Sequence, residues 1–452
     1  MFSKDYLFHF RRTLRIALPV CISNVGHMLV GLADTAFVGE IGKVEQAAIL
    51  LASTPYFLAL VFGMGVAYGI TPLVSEADAK NNSEFSARVL KNGIMLNLGL
   101  GIILFLGLLF ASPLFYYLNQ PAEVVEKAIP YFGVLMLSLI PLSLFSACKQ
   151  FAEGLSLTKT AMIITLVSNF LNIALNYIFI FGKLGVPAMG MMGAVWSTLI
   201  ARIVMAAWMG AYVFYHPRFK KYHAYKVPFI SGPVFSKIWK LGSGTGLQWV
   251  FEVGAFTFAA IMVGWIGVPE MASHQIALSI AAITYMVASG LSAAGSVRVG
   301  NALGRGNKTE IKLAANSVLL MGLLFMCFSA LLFILFRFQA TSLLSRDEGV
   351  IQIASGLLVI AAFFQISDGS QVISLGILRA LKDIRVPTVI TLVSYWLIGI
   401  PASWYLGFYL NMGVGGVWYG LLIGLSAAAI LLYLRYRYVW KNFEPEIIAP
   451  ES

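Results

Sequence analysis

The chain has 452 residues, of which 59% are hydrophobic and only 11% are charged. A soluble domain carries roughly 25% charged residues, so this composition excludes a soluble globular protein and indicates a polytopic helical membrane protein. The apolar runs are continuous rather than alternating, which argues against a transmembrane β-barrel. The net charge of +11 could indicate a nucleic-acid-binding protein, but the distribution of the basic residues argues against that.

The apolar runs are long enough for twelve membrane-spanning helices, each of which needs about 20 mostly apolar residues. Helix-breaking Pro, Gly and Asn residues separate them. The predicted spans are residues 14–38, 46–72, 91–117, 126–149, 160–182, 191–215, 237–265, 271–296, 312–337, 350–378, 387–410 and 414–438. No small-residue cleavage site follows the first run, so we expect a retained helix rather than a signal peptide.

Lys and Arg are distributed unevenly around these spans. With the N-terminus placed in the cytoplasm, 25 of the 31 basic residues fall in cytoplasmic segments, 5 fall outside, and Arg202 lies within the sixth span. By the positive-inside rule, this predicts a protein of the cell (inner) membrane with both termini in the cytoplasm. The same asymmetry explains the basic charge without a nucleic-acid partner.

The two halves of the chain resemble each other at a nearly constant offset. IGKVEQA at residues 41–47 aligns with IGVPEMA at 266–272, an offset of 225 that also pairs Gly65 with Gly290. TLVS at 165–168 matches TLVS at 391–394, and GAVW at 193–196 matches GGVW at 415–418. These matches indicate an internal duplication.

Each half contains six predicted spans, and an even number makes the two repeats parallel in the membrane. We therefore predict an N-terminal six-helix lobe over residues 1–215, a cytoplasmic linker over 216–236, and a C-terminal six-helix lobe with a short cytoplasmic tail over 237–452. Two bundles around a central cleft suit transport by alternating access.

Three carboxylates lie inside the apolar spans: Asp34, Glu252 and Asp368. A carboxylate near the middle of a membrane helix costs about 2.5–3.5 kcal/mol on insertion scales. Such residues are therefore functional candidates, and their spread over both halves suggests ion-coupled transport.

Three segments carry a family resemblance. ADTAFVGEIG at residues 33–42 resembles the first-helix signature of the multidrug and toxic compound extrusion (MATE) transporters. GNALGRGN at 300–307 resembles the loop of that family after helix 8, and LRALKDIRVP at 378–387 resembles its loop after helix 10. The similarity extends over nearly the whole chain, and the set Asp34, Glu252 and Asp368 resembles the NorM-like branch.

The resemblance implies an all-α fold of twelve transmembrane helices, in two six-helix bundles related by a pseudo-twofold axis, V-shaped with a central cleft. It also implies an antiporter that exports organic cations and drugs by alternating access, driven by Na⁺ or H⁺. No cofactor other than this coupling ion is expected, and no nucleic-acid partner. We expect a monomer, since one chain completes the cleft.

The resemblance also implies two sets of site residues. In the C-terminal lobe, Glu252 and Asp368 match the acids of a cation site, and Phe256 and Tyr285 match its aromatic positions. The N-terminal lobe set is Asp34, Asn172, Asn176 and Thr198. Another branch of the family carries an Asp at the position of Asn176, so the charge of this N-terminal site is lower here.

The residues themselves support a simple antiport mechanism. Two carboxylates in a medium of low dielectric constant repel each other, and Na⁺, H⁺ or a cationic drug can neutralise the pair. Glu252 and Asp368 would be the Na⁺ ligands if sodium is the coupling ion, with the Tyr285 hydroxyl or backbone carbonyls completing the site. Alternatively, the acids form structural pairs with Arg202 or with amide donors.

Other intramembrane polar residues have weaker signals. His27 lies two helical turns from Asp34 and could relay protons or contact substrate. Gln275 on the eighth span is a further substrate candidate. Asn172 and Asn176 could join neighbouring helices instead, because polar side chains hydrogen-bond across membrane helices. Arg202 is more consistent with a structural counter-ion than with a ligand of a cationic substrate.

Two other functional classes fit the sequence less well. A flippase for lipid-linked oligosaccharides or precursors would need a basic cavity for phosphate groups, and only Arg202 fits. An enzyme would need a compact catalytic set, and the sequence contains no Ser/His/Asp constellation or phosphate-binding glycine loop in the required context. The sequence therefore predicts a secondary transporter, not an enzyme.

Overall fold

The computed structural model describes residues 4–39, 41–223, 227–228 and 230–442, and in this part of the chain all regular structure is helical. The helices are α1 Lys4–Gly39, α2 Lys43–Ala67, α3 Ile70–Ala79, α4 Ser83–Ala111, α5 Ala122–Leu137, α6 Leu139–Gly154, α7 Thr158–Phe181, α8 Met191–Tyr215, α9 Lys220–His223, α10 Gly232–Ile266, α11 Val268–Gly304, α12 Lys308–Leu335, α13 Arg337–Ser342, α14 Glu348–Ala380, α15 Arg385–Leu392, α16 Ile400–Trp404 and α17 Gly413–Lys441. Short 3₁₀ segments follow α4 and α8, and π-helical segments flank α16.

These helices form twelve segments that are long and apolar enough to cross a membrane, six in each half of the sequence. The predicted all-α membrane fold with twelve spans is therefore confirmed. Several spans are longer than predicted, because the helices continue beyond the apolar run of the sequence into polar residues on either side. The span that contains α10, for example, runs over Gly232–Ile266.

Proline explains where three spans are interrupted. A proline at position i lacks an amide hydrogen, and its ring clashes with the carbonyl of residue i−4. Pro72 therefore disfavours a regular helix at Tyr68, where α2 gives way to α3, and Pro141 does the same at Leu137, where α5 ends. Pro401 acts on residue 397, within the π-helical segment Val393–Gly399 of the eleventh span.

The chain divides into two compact units whose boundaries lie inside helices. One unit comprises residues 1–24 and 247–452, and the other comprises residues 25–246. The first part of α1 thus packs with the C-terminal helices, and the first part of α10 packs with the N-terminal helices. The lobe boundaries at residues 215 and 237 stay a prediction about the duplicated sequence.

Two close glycine contacts reproduce the sequence repeat. A Cβ atom at Gly65 would overlap the backbone of Gly246, and one at Gly290 would overlap Cys21. Adding the offset of 225 converts Gly65 into Gly290 and Cys21 into Gly246, so the two contacts are repeat equivalents. Each contact lies within one unit, and each joins the first part of a repeat's first helix to the second span of the other repeat.

Candidate functional site

The two acids of the C-terminal half are buried in the same unit. Glu252 on α10 and Asp368 on α14 are each only 5% exposed. The buried face of α10 also carries Ala255, Ala259 and Met262. Because these residues recur at the three- and four-residue spacing of one helix face, Glu252 is directed inward together with them.

A third helix completes the surroundings of Glu252. Tyr285 on α11 interacts with the Glu252 carboxylate through a side-chain hydrogen bond, and Asp368 acts on Glu252 electrostatically. Three of the four residues predicted for this site are therefore brought together from α10, α11 and α14. We refer to Glu252, Asp368 and Tyr285 as the acid cluster.

The acid cluster retains unused oxygen atoms. In the described part of the chain, Oε2 of Glu252 and Oδ1 of Asp368 are buried without a hydrogen-bond partner, as is Oε1 of Gln248 one turn before Glu252. None of the ion pairs found among the described residues involves Glu252 or Asp368. Buried charge is stable only when it is paired or neutralised, so this cluster is suited to a bound cation or proton.

Tyr395 and Gln371 lie beside the acid cluster and were not predicted. The Tyr395 hydroxyl donates to Oε1 of Gln371 at 2.9 Å, and Nε2 of Gln371 donates to the hydroxyl at 2.7 Å. Tyr395 also interacts electrostatically with the three members of the acid cluster.

Two sequence signals could have identified these residues. Gln371 is three residues from Asp368 on α14, a spacing that places both near one helix face. Tyr395 directly follows the repeated TLVS segment, and its repeat equivalent at the offset of 226 is Asn169, another buried polar residue.

Phe256 forms part of an apolar wall beside this site. Its ring centroid lies 6.5 Å from that of Tyr395, and it packs against two buried apolar clusters of the same unit. Gln275 is not brought to the site. It is exposed and precedes Tyr285 by ten residues on α11, a separation of roughly 15 Å along the helix axis.

The four residues predicted for the N-terminal site form one hydrogen-bonded chain. Asn176 Nδ2 donates to Oδ1 of Asp34 and contacts Oδ1 of Asn172 at 3.3 Å. Asn172 Nδ2 donates to the Thr198 hydroxyl at 3.5 Å, and that hydroxyl donates to the Ala194 carbonyl. The chain links α1, α7 and α8.

A buried polar stripe on α7 positions this chain. Thr165, Asn169, Asn172 and Asn176 recur every three or four residues, and all are at most 9% exposed. This spacing places them along one helix face. Oδ1 of Asn176 has no hydrogen-bond partner among the described residues, so the site offers an acceptor in addition to the carboxylate of Asp34.

Arg202 lies near Asp34 but has hydroxyl partners. Its guanidinium donates to the Tyr56 hydroxyl and to the Ser138 hydroxyl, the latter at 2.6 Å. Asp34 experiences the charge of Arg202, and no ion pair between them lies within 4.0 Å. Arg202 thus joins α8 to α2 and to the break between α5 and α6, and acts on the acid from a distance.

His27 lies in the same unit, where Lys149 and Arg202 act on it electrostatically. The predicted fourth span ends at residue 149, so Lys149 was expected at the cytoplasmic boundary of that span, as one of the 25 cytoplasmic basic residues. Instead it is buried with Glu153 one turn away, at 3.8 Å between Nζ and Oε1. In the sequence, only the four-residue spacing of Lys149 and Glu153 indicates this ion pair.

No group of three or more His, Cys, Asp or Glu side chains that could hold a metal ion occurs within the described residues. Around the acid cluster, the atoms available to a cation are oxygens of carboxylates, phenols and amides. Hard cations prefer oxygen ligands, so this donor set fits an alkali cation or a proton better than a transition metal.

The chain is similar to a known protein family and to relatives over nearly their whole length. The MatE family model matches residues 19–178 and 245–405, two blocks separated by nearly the offset of the sequence repeat. The probable multidrug resistance protein NorM of Rhizobium meliloti is 33% identical over 95% of this chain and 93% of its own length. Multidrug resistance protein NorM of Photobacterium profundum is 32% identical over 96% of each chain. Multidrug resistance protein MdtK of Yersinia pseudotuberculosis is 32% identical over 97% of each chain.

Solved structures share the fold. The outward-facing conformation of a multidrug resistance MATE family transporter superposes with a TM-score of 0.89, at 20% identity over 98% of this chain and 99% of its own. The eukaryotic MATE transporter AtDTX14 superposes with a TM-score of 0.87, at 20% identity over 97% and 98%. At these identities the similarity concerns the fold alone.

Proposed function

Since the chain belongs to the MatE family, we propose that it is a secondary active antiporter that exports organic cations and drugs in exchange for Na⁺ or H⁺. Full-length relatives named as multidrug resistance proteins support multidrug efflux and do not favour the flippase alternative. The chain is accordingly a multi-pass membrane transporter and not an enzyme. Location in the cell membrane, cytoplasmic termini and a monomeric state are parts of the proposal.

The acid cluster is the observation that carries this proposal. Two buried carboxylates on different helices of one unit, without a basic partner among the described residues, need a positive charge to be stable in a membrane. A coupling ion can supply this charge, and so can a cationic drug. If only one of them occupies the cluster at a time, the binding of each favours release of the other.

Each cluster residue has a distinct task in this scheme. Glu252 and Asp368 hold the neutralising cation, and Tyr285 orients the Glu252 carboxylate through its hydroxyl. If the ion is Na⁺, the unpartnered oxygens of Glu252 and Asp368 are its first ligands, and the amide oxygen of Gln248 is a further candidate. If the ion is H⁺, the same oxygens accept it.

The chain around Asp34 is a second candidate coupling site. Its single carboxylate is held by an amide rather than by a second acid, and Arg202 already supplies positive charge nearby. This arrangement needs an external cation less than the acid cluster does. We therefore assign the coupling ion to Glu252 and Asp368, and a gating or drug-binding role to Asp34.

Ethidium efflux tests the assignment. Proteoliposomes with wild type or Glu252→Gln would be driven separately by a Na⁺ gradient and by a pH gradient. We expect efflux driven by at least one gradient in wild type and abolished in Glu252→Gln. Glu348→Gln is the matched control, because Glu348 is exposed in the first turn of α14 and lies outside the cluster.

Each other outcome has a definite meaning. Efflux that survives in Glu252→Gln but is lost in Asp34→Asn would move the coupling site to the N-terminal unit. No efflux of any cationic compound under either gradient, from protein that remains folded, would refute the antiport proposal.

A further inference from the structure

A basic cavity lies where α12 begins and α17 ends. Its volume is ≈ 450 Å³, and its lining residues are Lys308, Arg437, Tyr438, Trp440 and Lys441. All five belong to the same compact unit. Among the described residues, the lining thus consists of three cations and two aromatic side chains.

Among the described residues, no acid pairs with the cations of this cavity. In the described part of the chain, no carboxylate lies within 4.0 Å of the three cations. Two described acids that lie on α12 or contact α17 are engaged by other cations. Glu310 accepts two bonds from Arg305, at 2.6 and 2.9 Å, and Asp383 accepts one from Arg435 at 2.6 Å.

Trp440 contacts one of the cations. The Lys308 ammonium lies 5.5 Å from the centroid of the Trp440 ring, within the range of a cation–π contact. Trp440 itself packs against the buried core of the unit. The cavity therefore has a fixed wall, and its chemistry fits an anion with several oxygen atoms, such as a phosphate group.

The surface beside the cavity is apolar and points to an amphiphile rather than to a free ion. Ile430, Leu434 and Tyr438 recur every four residues along α17 and are 60%, 53% and 59% exposed. They therefore form one stripe on the helix, which ends beside Arg437 and Lys441. A phospholipid has a matching arrangement, because its apolar acyl chains are followed by a negatively charged phosphodiester.

We propose that this cavity binds the head group of an anionic phospholipid. Lys308, Arg437 and Lys441 contact the phosphodiester, and an acyl chain lies along Ile430 and Leu434. Basic pockets between membrane helices are suited to such head groups, since each Lys or Arg near the membrane surface contributes about 1 kcal/mol. The proposal depends on the chain spanning a membrane and not on which ion drives transport.

Lipid binding to the purified full-length protein provides the test. Native mass spectrometry would measure the affinity for phosphatidylglycerol and for phosphatidylcholine. We expect the triple variant Lys308→Gln, Arg437→Gln, Lys441→Gln to bind phosphatidylglycerol about 100-fold more weakly. Each cation contributes about fivefold in affinity, and the three factors multiply. Affinity for phosphatidylcholine should stay unchanged.

A second triple variant controls for net charge. Arg218→Gln, Lys220→Gln, Lys221→Gln removes the same charge from exposed residues of the other unit and should leave phosphatidylglycerol binding at the wild-type level. An equal loss in both triple variants would overturn the proposal, because the attraction would then be unspecific. If the first triple variant does not fold, the single variants Lys308→Gln and Arg437→Gln replace it, each with an expected loss of about fivefold.

Inorganic phosphate distinguishes the lipid from a free ion. We expect millimolar phosphate to displace phosphatidylglycerol poorly, because it cannot use the apolar stripe. Full displacement by phosphate, together with unchanged lipid binding in Leu434→Asn, would show a phosphate site and refute the lipid assignment. The readout is lipid binding, so its failure and the failure of the antiport proposal are distinguishable.

Discussion

The reciprocal pair of Tyr395 and Gln371 allows a quantitative test of the site. Tyr395 is 1% exposed and Gln371 is fully buried, and each donates one hydrogen bond to the other. Tyr395→Phe removes both bonds and leaves a buried amide without them. A stranded buried polar group costs about 1–3 kcal/mol, and hydrogen bonds in membrane proteins average about 0.6 kcal/mol each. We therefore expect Tyr395→Phe to lower the free energy of unfolding by about 2–4 kcal/mol.

The double variant makes the argument refutable. Gln371→Leu alone strands the Tyr395 hydroxyl, whereas Tyr395→Phe with Gln371→Leu replaces both partners by apolar groups, which is close to neutral. We expect the double variant to be more stable than Tyr395→Phe alone, with a coupling energy of at least about 1 kcal/mol. Unfolding by an increasing mole fraction of SDS in mixed micelles measures all four proteins. Additive losses of stability would show that the two side chains do not depend on each other, and would refute the assigned hydrogen-bond pair.

Three further predictions concern other parts of the molecule. Gly420→Leu should lower the free energy of unfolding by several kcal/mol in the same SDS assay, because a side chain there overlaps the backbone of Ser403 in the eleventh span. Gly415 should tolerate Ala, because a Cβ atom at that position meets no other atom within 4 Å. Lys149→Gln should lower the free energy of unfolding by about 3–5 kcal/mol, because it leaves Glu153 buried and unpaired. The double variant with Glu153→Gln should recover part of this loss, and equal stability of the single and double variants would contradict the prediction. Burial and the Asp78 carboxylate raise the pKa of the Tyr222 hydroxyl. The folded state therefore keeps this proton to a higher pH than the unfolded chain does, and the free energy of unfolding should fall as the pH rises above about 10. Thermal unfolding across alkaline pH should show a smaller decline in Tyr222→Phe.

The sequence predicts those features of the fold that follow from large free energies of transfer into a bilayer. Twelve apolar runs and an uneven distribution of basic residues are strong signals, because backbone and charge both have high transfer costs in a bilayer. The same cost made Glu252 and Asp368 conspicuous, and the family resemblance added Tyr285. The structure brings these three residues together, although their roles stay proposals.

The remaining features depend on tertiary packing, which leaves little trace in one sequence. Tyr395 looks like an ordinary aromatic residue of an apolar run, and its partner became apparent only from the packing of the eleventh span beside α14. Lys149 looked like a basic residue at a membrane boundary, because hydropathy does not show that a helix end is covered by its neighbours. The division of α1 and α10 between two units was equally invisible, since each is continuous in sequence.

That division affects how the protein is made. Cys21 donates its thiol hydrogen bond to the carbonyl of Val287, 266 residues later, and Arg298 contacts His9 across 289 residues. At about 5–20 residues per second, the ribosome needs tens of seconds to synthesise the intervening chain. During that interval α1 lies in the membrane without its partner α11, and its buried polar residues His9 and Thr13 lack their final surroundings. α1 is therefore made long before it can reach its native packing, and a nascent chain arrested before α11 should leave Cys21 open to thiol-reactive labels that no longer reach it in the finished protein.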